Sequence, residues 1–233
     1  MTMNSFPQGF RALIIGATGA IGSAMLGHLR ANPRCGVVEA IHRRSLPPID
    51  FDHEDSIAAA AAVFAHHAPF HLIINAAGVL HSARFMPEKK LSDLHYEQMV
   101  ETFRVNAFGP ALVIRHFSKL LDAERGVMVA ISARVGSIED NRLGGWYSYR
   151  ASKAALNMLL KTAAIEIKRR QGNAVLVALH PGTVSSNLSQ PFRGADIGRS
   201  PDAAAMDMLA VIDGLKPADT GRFFAYDGES LPW

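Results

Sequence analysis

The chain has 233 residues, 48% of them hydrophobic and 19% charged, and a formal net charge of +3. This composition predicts a globular protein with a sizeable core, and the basic clusters are too short to indicate a nucleic-acid partner. The single cysteine, Cys35, excludes an intramolecular disulfide and favours a reducing compartment. No apolar run of bilayer length and no export signal stand out. We therefore expect a cytoplasmic protein without a membrane partner, forming a single domain over residues 1–233.

Short runs rich in Val and Ile alternate with helical periodicity along the chain. The predicted strands are 11–15, 37–41, 72–75, 127–131, 175–179 and 222–225. The predicted helices are 21–31, 56–66, 91–121, 147–170 and 201–214. Strand alternating with helix predicts an α/β protein with a doubly wound, mostly parallel sheet. We expect a Rossmann fold with helices on both faces and about seven strands, of which the runs above supply six.

A glycine-rich turn joins the first predicted strand to the first predicted helix. Gly16, Gly19 and Gly22 have the spacing Gly-x-x-Gly-x-x-Gly. Glycine allows a tight turn and a close approach of the backbone to a pyrophosphate, and a helix N-terminus offers free N–H groups to phosphates. The turn therefore predicts a dinucleotide site.

Tyr149 and Lys153 stand four residues apart in a predicted helix, in Tyr-Ser-Tyr-Arg-Ala-Ser-Lys. This spacing places both on one helix face. An adjacent ammonium stabilises a phenolate, so we expect a lowered pKa for Tyr149 and a role in proton exchange. Tyr147 has Ala151 at the same spacing and cannot form the same pair.

Further motifs follow in the same order along the chain. They are Asn75-Ala76-Ala77-Gly78, Asn106 in Val-Asn-Ala-Phe-Gly-Pro, Ser132 in Ile-Ser-Ala-Arg, His180-Pro181-Gly182-Thr183-Val184 and a closing Asp-Gly-Glu-Ser-Leu-Pro-Trp. With the glycine turn and the Tyr-Lys pair, they make residues 10–233 similar to the short-chain dehydrogenase/reductase family, and within it to the C-factor-like subgroup. Ala76 departs from the Asn-Asn-Ala-Gly segment of that family.

The resemblance implies an NAD(P)-dependent oxidoreductase that acts on a small-molecule carbonyl or secondary alcohol. Tyr149 would exchange the proton, Lys153 would hold the nicotinamide ribose, Ser132 would bind the substrate oxygen, and Asn106 would hold a water. The expected cofactor contacts are Gly16, Thr18, Gly19, Ala20, Ile21, Gly22, Arg43, Arg44, Asp50, Phe51, Asn75, Ala76, Gly78, Tyr149, Lys153, Pro181, Gly182 and Val184. No metal is expected.

The end of the second predicted strand bears on the choice of cofactor. It runs into His42-Arg43-Arg44-Ser45, and no acid follows until Asp50, while Glu39 lies inside the strand. An acid at the strand end would bind the ribose of NAD, whereas arginine pairs with the 2′-phosphate of NADP. The sequence therefore favours NADP, with NAD as the alternative.

Two other functions stay open: a catalytically silent regulator that senses dinucleotides, and a signalling protein. The loops expected to shape a substrate pocket are 79–90, 133–146 and 185–198, with His81 as a candidate lining residue. They contain Arg84, Phe85, Met86, Arg134, Trp146, Phe192 and Arg193, which indicate an apolar pocket with basic groups. We expect a homodimer or homotetramer that pairs through helices 91–121 and 147–170.

Overall fold

The computed structural model describes residues 2–233. Within them, six parallel strands form one sheet in the order β2-β1-β3-β4-β5-β6. The strands are β1 (Phe10–Ile15), β2 (Cys35–Ile41), β3 (Leu72–Asn75), β4 (Val127–Ile131), β5 (Val175–His180) and β6 (Phe223–Ala225). The chain leaves β1 for β2 on one side and returns to β3 on the other. The carboxyl ends of β1 and β3 therefore border the crevice in which such sheets bind ligands.

Helices cover both faces of this sheet, as a doubly wound fold requires. They are α1 (Ala20–Arg30), α2 (Glu54–Ala65), α3 (Tyr96–Phe103), α4 (Gly109–Phe117), α5 (Tyr147–Arg170), α6 (Gly194–Ile197) and α7 (Pro201–Gly214). Alternate side chains of β1 enter opposite cores: Leu13 packs with residues of α2, α4 and α5, and Ile14 with residues of α1 and α7. The predicted α/β architecture is confirmed.

The sheet has six strands within residues 2–233, and not the expected seven or so. The chain between β2 and α2 forms no strand. Pro47 and Pro48 supply no N–H there, and the next two N–H groups bond elsewhere, Ile49 to the His42 carbonyl and Asp50 to the Ser56 hydroxyl. A segment without free donors cannot extend a ladder. Asn75–Gly78 consequently follow the third strand of this sheet.

The long helix predicted over 91–121 is interrupted. A 3₁₀ turn at Leu91–Asp93 precedes α3, and a π-helical turn at Arg104–Phe108 separates α3 from α4. Pro110 has no N–H to offer the carbonyl of Asn106 four residues earlier, so a continuous α-helix cannot form. In contrast, α5 and α7 have the predicted bounds, and the hydroxyl of Ser200 caps α7 by accepting the N–H of Ala203 at 3.1 Å. No helix in residues 2–233 has the length and hydropathy to cross a bilayer.

Phe117 tests the core on the α4 side of the sheet. Its side chain is fully buried, whereas Phe108, the last residue of the π-helical turn, is 53% exposed. Phe117→Ala is expected to lower the free energy of unfolding by about 3–5 kcal/mol, because it leaves a cavity. The same change at Phe108 should cost less than about 1 kcal/mol in a urea titration. Equal losses at both positions would contradict the described packing.

Candidate active site

The glycine turn packs against the segment that follows β3. Gly16 has a φ of +83°, and a Cβ there would lie 2.8 Å from the amide nitrogen of Ala77. A Cβ at Gly22 would lie 2.4 Å from the carbonyl oxygen of Gly16. Gly19 is the N-cap of α1, and because it has no side chain it offers no acceptor to the first N–H groups of the helix. The turn therefore leaves the N-terminus of α1 with free N–H groups, as an anion site requires.

A cavity of about 670 Å³ lies along this turn and the loops after β2 and β3. The expected cofactor residues on its wall are Gly16, Thr18, Gly19, Arg43, Asp50, Phe51, Ala76 and Gly78. His42, Asp52, His81 and Arg104 also line it, although the sequence did not single them out as cofactor contacts. The volume and the glycine cradle fit a dinucleotide.

The other expected cofactor residues lie outside the cavity wall. Among them, the side chain of Asn75 accepts the N–H of Ala77 at 3.1 Å and thereby shapes the loop. Gly182 has a φ of +75°, and a Cβ there would lie 2.9 Å from the ring of Tyr226. The expected cofactor residues that lie outside the cavity wall are Ala20, Ile21, Gly22, Arg44, Asn75, Tyr149, Lys153, Pro181, Gly182 and Val184. Their contacts with a cofactor stay a prediction.

The two arginines after β2 are placed differently. Arg43 lines the cavity, whereas Arg44 does not, and the amide of Arg44 donates to His42 Nδ1 at 3.1 Å. The carboxylate of Glu39 lies 3.0 Å from His67 Nδ1. The carboxylate of Glu39 is thus paired away from the end of β2, and Arg43 is the arginine there that lines the cavity.

Lys153 connects the cavity wall to the end of β4. Its side chain is 3% exposed, and Nζ donates to the carbonyl of Ile131 at 3.0 Å. A Cβ at Gly136 would lie 2.7 Å from the Lys153 Cβ, and one at Gly78 would lie 3.5 Å from Nζ. Gly136 therefore leaves room for this side chain, whereas a Cβ at Gly78 would make ordinary van der Waals contact with Nζ. Burial disfavours the charged ammonium and lowers the pKa of Lys153 to about 8.

Tyr149 lies beside Lys153, as the helical spacing predicted. The Lys153 Nζ is 5.8 Å from the centre of the tyrosine ring. The pKa of Tyr149 is nevertheless raised to about 12, because burial penalises the phenolate. The expected lowering of this pKa is therefore wrong for the protein alone. At neutral pH the phenol keeps its proton and is available as an acid.

Ser132 follows β4 and has a partner that the sequence analysis missed. Its hydroxyl donates to Asn157 Oδ1 at 2.7 Å, and its amide donates to the Leu179 carbonyl of β5 at 2.9 Å. Asn157 lies four residues after Lys153, on the same face of α5. This spacing from Lys153 was the sequence signal that could have identified Asn157 as a site residue.

Asn106 is fully buried in the π-helical turn. Its Oδ1 accepts the N–H of Val79 at 2.9 Å, and its Nδ2 donates to the Val79 carbonyl at 2.7 Å and to the Ser152 hydroxyl at 3.1 Å. The side-chain amide is therefore fully used in fixing the loop after Gly78. Pro110 leaves the backbone carbonyl of Asn106 without its α-helical donor, and the binding of a water by Asn106 stays a prediction.

Aromatic rings gather beside Tyr149. The ring of Trp146 lies 6.1 Å from that of Tyr149 and 5.0 Å from that of Phe192, which in turn lies 6.0 Å from His81. The basic residues expected in this region are paired with acids: Arg84 with Glu101, Arg134 with Glu229 and Arg193 with Asp196. These rings form an aromatic wall beside Tyr149, and Arg84, although paired, lines the cavity.

Four histidines outside this wall, His28, His67, His71 and His116, each lie near a single acid. His71 Nε2 lies 3.8 Å from Asp122, as His67 lies near Glu39. Across residues 2–233, no three His, Cys, Asp or Glu side chains are arranged as a metal-ligand set.

A doubly wound sheet with a glycine cradle at its switch point defines a nucleotide-binding protein. The family model described as short chain dehydrogenase matches residues 40–196. The C-signal protein of Myxococcus xanthus is 38% identical over 169 residues, which cover 71% of this chain and 93% of that protein. The 1-hydroxy-2-glutathionyl-2-methyl-3-butene dehydrogenase of Rhodococcus sp. (strain AD45) is 33% identical, over 80% of this chain and 79% of that protein. The chain therefore belongs to the short-chain dehydrogenase family, a family of NAD(P)-dependent oxidoreductases.

Solved structures share the fold over almost the whole chain. The NADPH-bound carbonyl reductase from chicken fatty liver has a TM-score of 0.84 and 24% identity, and the match covers 98% of this chain and 96% of that one. The carbonyl reductase Sniffer of D. melanogaster has the same TM-score and 20% identity, with coverages of 97% and 100%. At these identities the likeness concerns the fold.

Lys153→Met tests the burial of the lysine. A lysine whose pKa falls from 10.5 to about 8 on folding opposes folding below pH about 8, and the penalty fades as the pH rises to 10.5. At neutral pH the substitution is therefore expected to raise the free energy of unfolding by up to about 3 kcal/mol.

Urea titrations at neutral pH and at pH about 9.5 should show this gain roughly halving at the higher pH. Lys168→Met, at an exposed position of the same helix, is the control and should change little. A loss of stability in Lys153→Met at neutral pH would contradict the described burial.

Proposed function

We propose that this protein is an NADP-dependent oxidoreductase that interconverts a carbonyl compound and a secondary alcohol. The observation that carries the proposal is the position of Lys153, which touches the end of β4, lies beside the ring of Tyr149 and reaches Gly78 on the cavity wall. Membership of the short-chain dehydrogenase family supports it. The bound nicotinamide would supply or accept the hydride.

The protein's own residues would manage the proton and the substrate oxygen. Tyr149, a phenol with a pKa of about 12, would donate its proton to the carbonyl oxygen as the alcohol forms. Lys153 would stabilise the phenolate left behind, since an adjacent ammonium favours the anion. Ser132 would release its bond to Asn157 and donate to the substrate oxygen, stabilising the charge that develops there.

The cavity supports the choice of NADP. The glycine turn would bind the pyrophosphate at the N-terminus of α1, and Arg43 would pair with the 2′-phosphate. Each acid on the cavity wall has a partner: Asp52 pairs with Arg104 at 3.0 Å, Glu101 pairs with Arg84, and Asp50 accepts the N–H of Asp52 at 3.1 Å. Several of the similar solved structures are described as bound to NADP or NADPH, which agrees with this choice.

A signalling role is the second candidate, because one relative is named C-signal. A dinucleotide-sensing regulator without turnover is a variant of the same alternative. Neither role requires Ser132, Tyr149, Lys153 and Asn106 together, so we favour the enzyme. Purified protein that binds NADPH but oxidises it with no aldehyde, ketone or quinone would reverse this preference.

We also propose self-association as a homodimer or homotetramer. Met158, Leu159 and Ile165 leave an apolar strip exposed on α5, which would be covered by a second copy. A cytoplasmic location likewise stays a prediction from the sequence.

Tyr149→Phe tests the proton donor. The change keeps the ring and removes the hydroxyl, so kcat should fall by about a hundredfold or more while NADPH still binds. Tyr147→Phe, two residues earlier, is the matched control and should keep normal turnover. Stopped-flow oxidation of NADPH measures the rates, and near-normal turnover in Tyr149→Phe would remove Tyr149 from the mechanism.

Arg43→Ala tests the cofactor preference. Only the 2′-phosphate distinguishes the two cofactors, so the Kd for NADPH should rise about tenfold or more while that for NADH changes little. Arg44→Ala tests the second arginine that the sequence predicts here; because Arg44 lies outside the cavity wall, its loss should change either Kd by less than about threefold. Fluorescence titration gives both constants. Tighter binding of NADH than NADPH by the unaltered protein would argue against NADP.

A further inference from the structure

Glu88 is a buried acid that contacts the start of α5 from a distant loop. Its side chain is 2% exposed. Its carboxylate accepts the N–H of Ser148 at 3.1 Å and the hydroxyl of the same serine, and its backbone carbonyl accepts the N–H of Trp146 at 2.5 Å. One residue thus binds the chain both just before and just inside the helix that carries Tyr149.

The chemistry of the helix end explains why an acid occupies this position. The N-cap of α5 is Trp146, which has no side-chain acceptor, and the first turn of the helix contains no acidic residue. Glu88 supplies the missing acceptor and places a negative charge at the positive end of a 24-residue helix. Within residues 2–233, no lysine, arginine or histidine forms an ion pair with it. The helix end is therefore what compensates this buried charge.

Trp146 depends on the same contacts. Its backbone has φ 53° and ψ 44°, the left-handed region, which costs a non-glycine residue about 1–2 kcal/mol. The N–H of Trp146 donates to the Glu88 carbonyl, and the carbonyl of Trp146 accepts the N–H of Arg150 at 2.8 Å. This conformation sets the indole ring against Tyr149 and Phe192. Strain of this kind persists where the surroundings fix it, and it occurs at functional sites.

We propose that Glu88 is a positioning residue of the active site. By holding residues 146–148, it fixes the ring of Trp146 and the first turn of α5, from which Tyr149 projects. The proposal rests on the proposed role of Tyr149 for its effect on turnover. Its effect on Trp146 does not depend on that role.

Three variants separate positioning from a general loss of structure. Glu88→Ala is expected to lower kcat about tenfold or more, because small displacements of a reacting group are costly, while KM and the Kd for NADPH stay within about threefold. Glu88→Gln should recover most of the turnover, since its amide can accept the Ser148 N–H and donate to the Ser148 hydroxyl. Glu97→Ala, at an exposed position of α3, is the control and should leave kcat unchanged.

A fluorescence measurement tests the proposal without turnover. The chain has two tryptophans, so Trp233→Phe leaves Trp146 as the only one. In that background, Glu88→Ala should increase the quenching of Trp146 by acrylamide, and Glu88→Gln and Glu97→Ala should not. If the unaltered protein turns over no carbonyl, the proposed function fails, and this comparison still decides whether Glu88 holds Trp146.

Unchanged kcat or unchanged quenching in Glu88→Ala would overturn the proposal. A drop in kcat that Glu88→Gln shares in full would do the same, because it would implicate the charge alone. If Glu88→Ala does not fold, Ser148→Ala removes one of the contacts and takes its place. It should lower kcat by about threefold, with KM little changed and Trp146 more strongly quenched, and no effect on either readout would also overturn the proposal.

Discussion

Burial of the Lys153 ammonium is the constraint around which the candidate site is built. Removing a lysine from water is costly, and the fold offers it one backbone carbonyl, that of Ile131, in return. Gly136 leaves the space that its Cβ occupies, and Gly78 lies beside its Nζ. The same contacts bring together the end of β4, the face of α5 that carries Tyr149 and the wall of the cavity. The site therefore uses a buried charge to join three parts of the fold.

The effect of this burial appears in the pKa values of both Lys153 and Tyr149. Burial moves the pKa of Lys153 down to about 8 and that of Tyr149 up to about 12, so each change favours the neutral form. A protonated phenol beside a lysine suits proton donation to a carbonyl. Around this pair, the aromatic wall of Trp146 and Phe192 and the buried Glu88 fix the geometry. The burial of Lys153 lowers the free energy of unfolding, and the surrounding contacts maintain the conformation of the site.

Local patterns predicted much of this protein. The bounds of α5 and α7, the glycine turn and the Tyr149–Lys153 pair follow from periodicity, caps and residue spacing, which need only neighbouring residues. The interrupted helix at Asn106 was also within reach, because Pro110 stands four residues after it. The six strands that the local runs predicted are the six observed, and Pro47 and Pro48 explain why the stretch after β2 adds no seventh. These proline signals were present in the sequence, but the expected seven-strand sheet and continuous helix did not take them into account.

Features that arise from distant contacts could not be predicted. Glu88 and Ser148 are 60 residues apart, and nothing in either segment indicates that they meet. The raised pKa of Tyr149 likewise depends on how deeply the whole fold buries its ring, whereas the sequence indicated only its charged neighbour. Arg43 and Arg44 are adjacent and chemically identical, and only the course of the chain after β2 places one of them on the cavity wall.

Titration of Lys153 itself tests the central claim most directly. The protein can be prepared with lysine carrying ¹³C at Cε, and the Lys153 signal assigned by its loss in Lys153→Arg. If the ammonium is buried as described, its chemical shift should titrate with a midpoint near 8 in the protein without cofactor. A midpoint at the ordinary lysine value of 10.5 would show that Lys153 is solvated, and the account of the site would then be wrong.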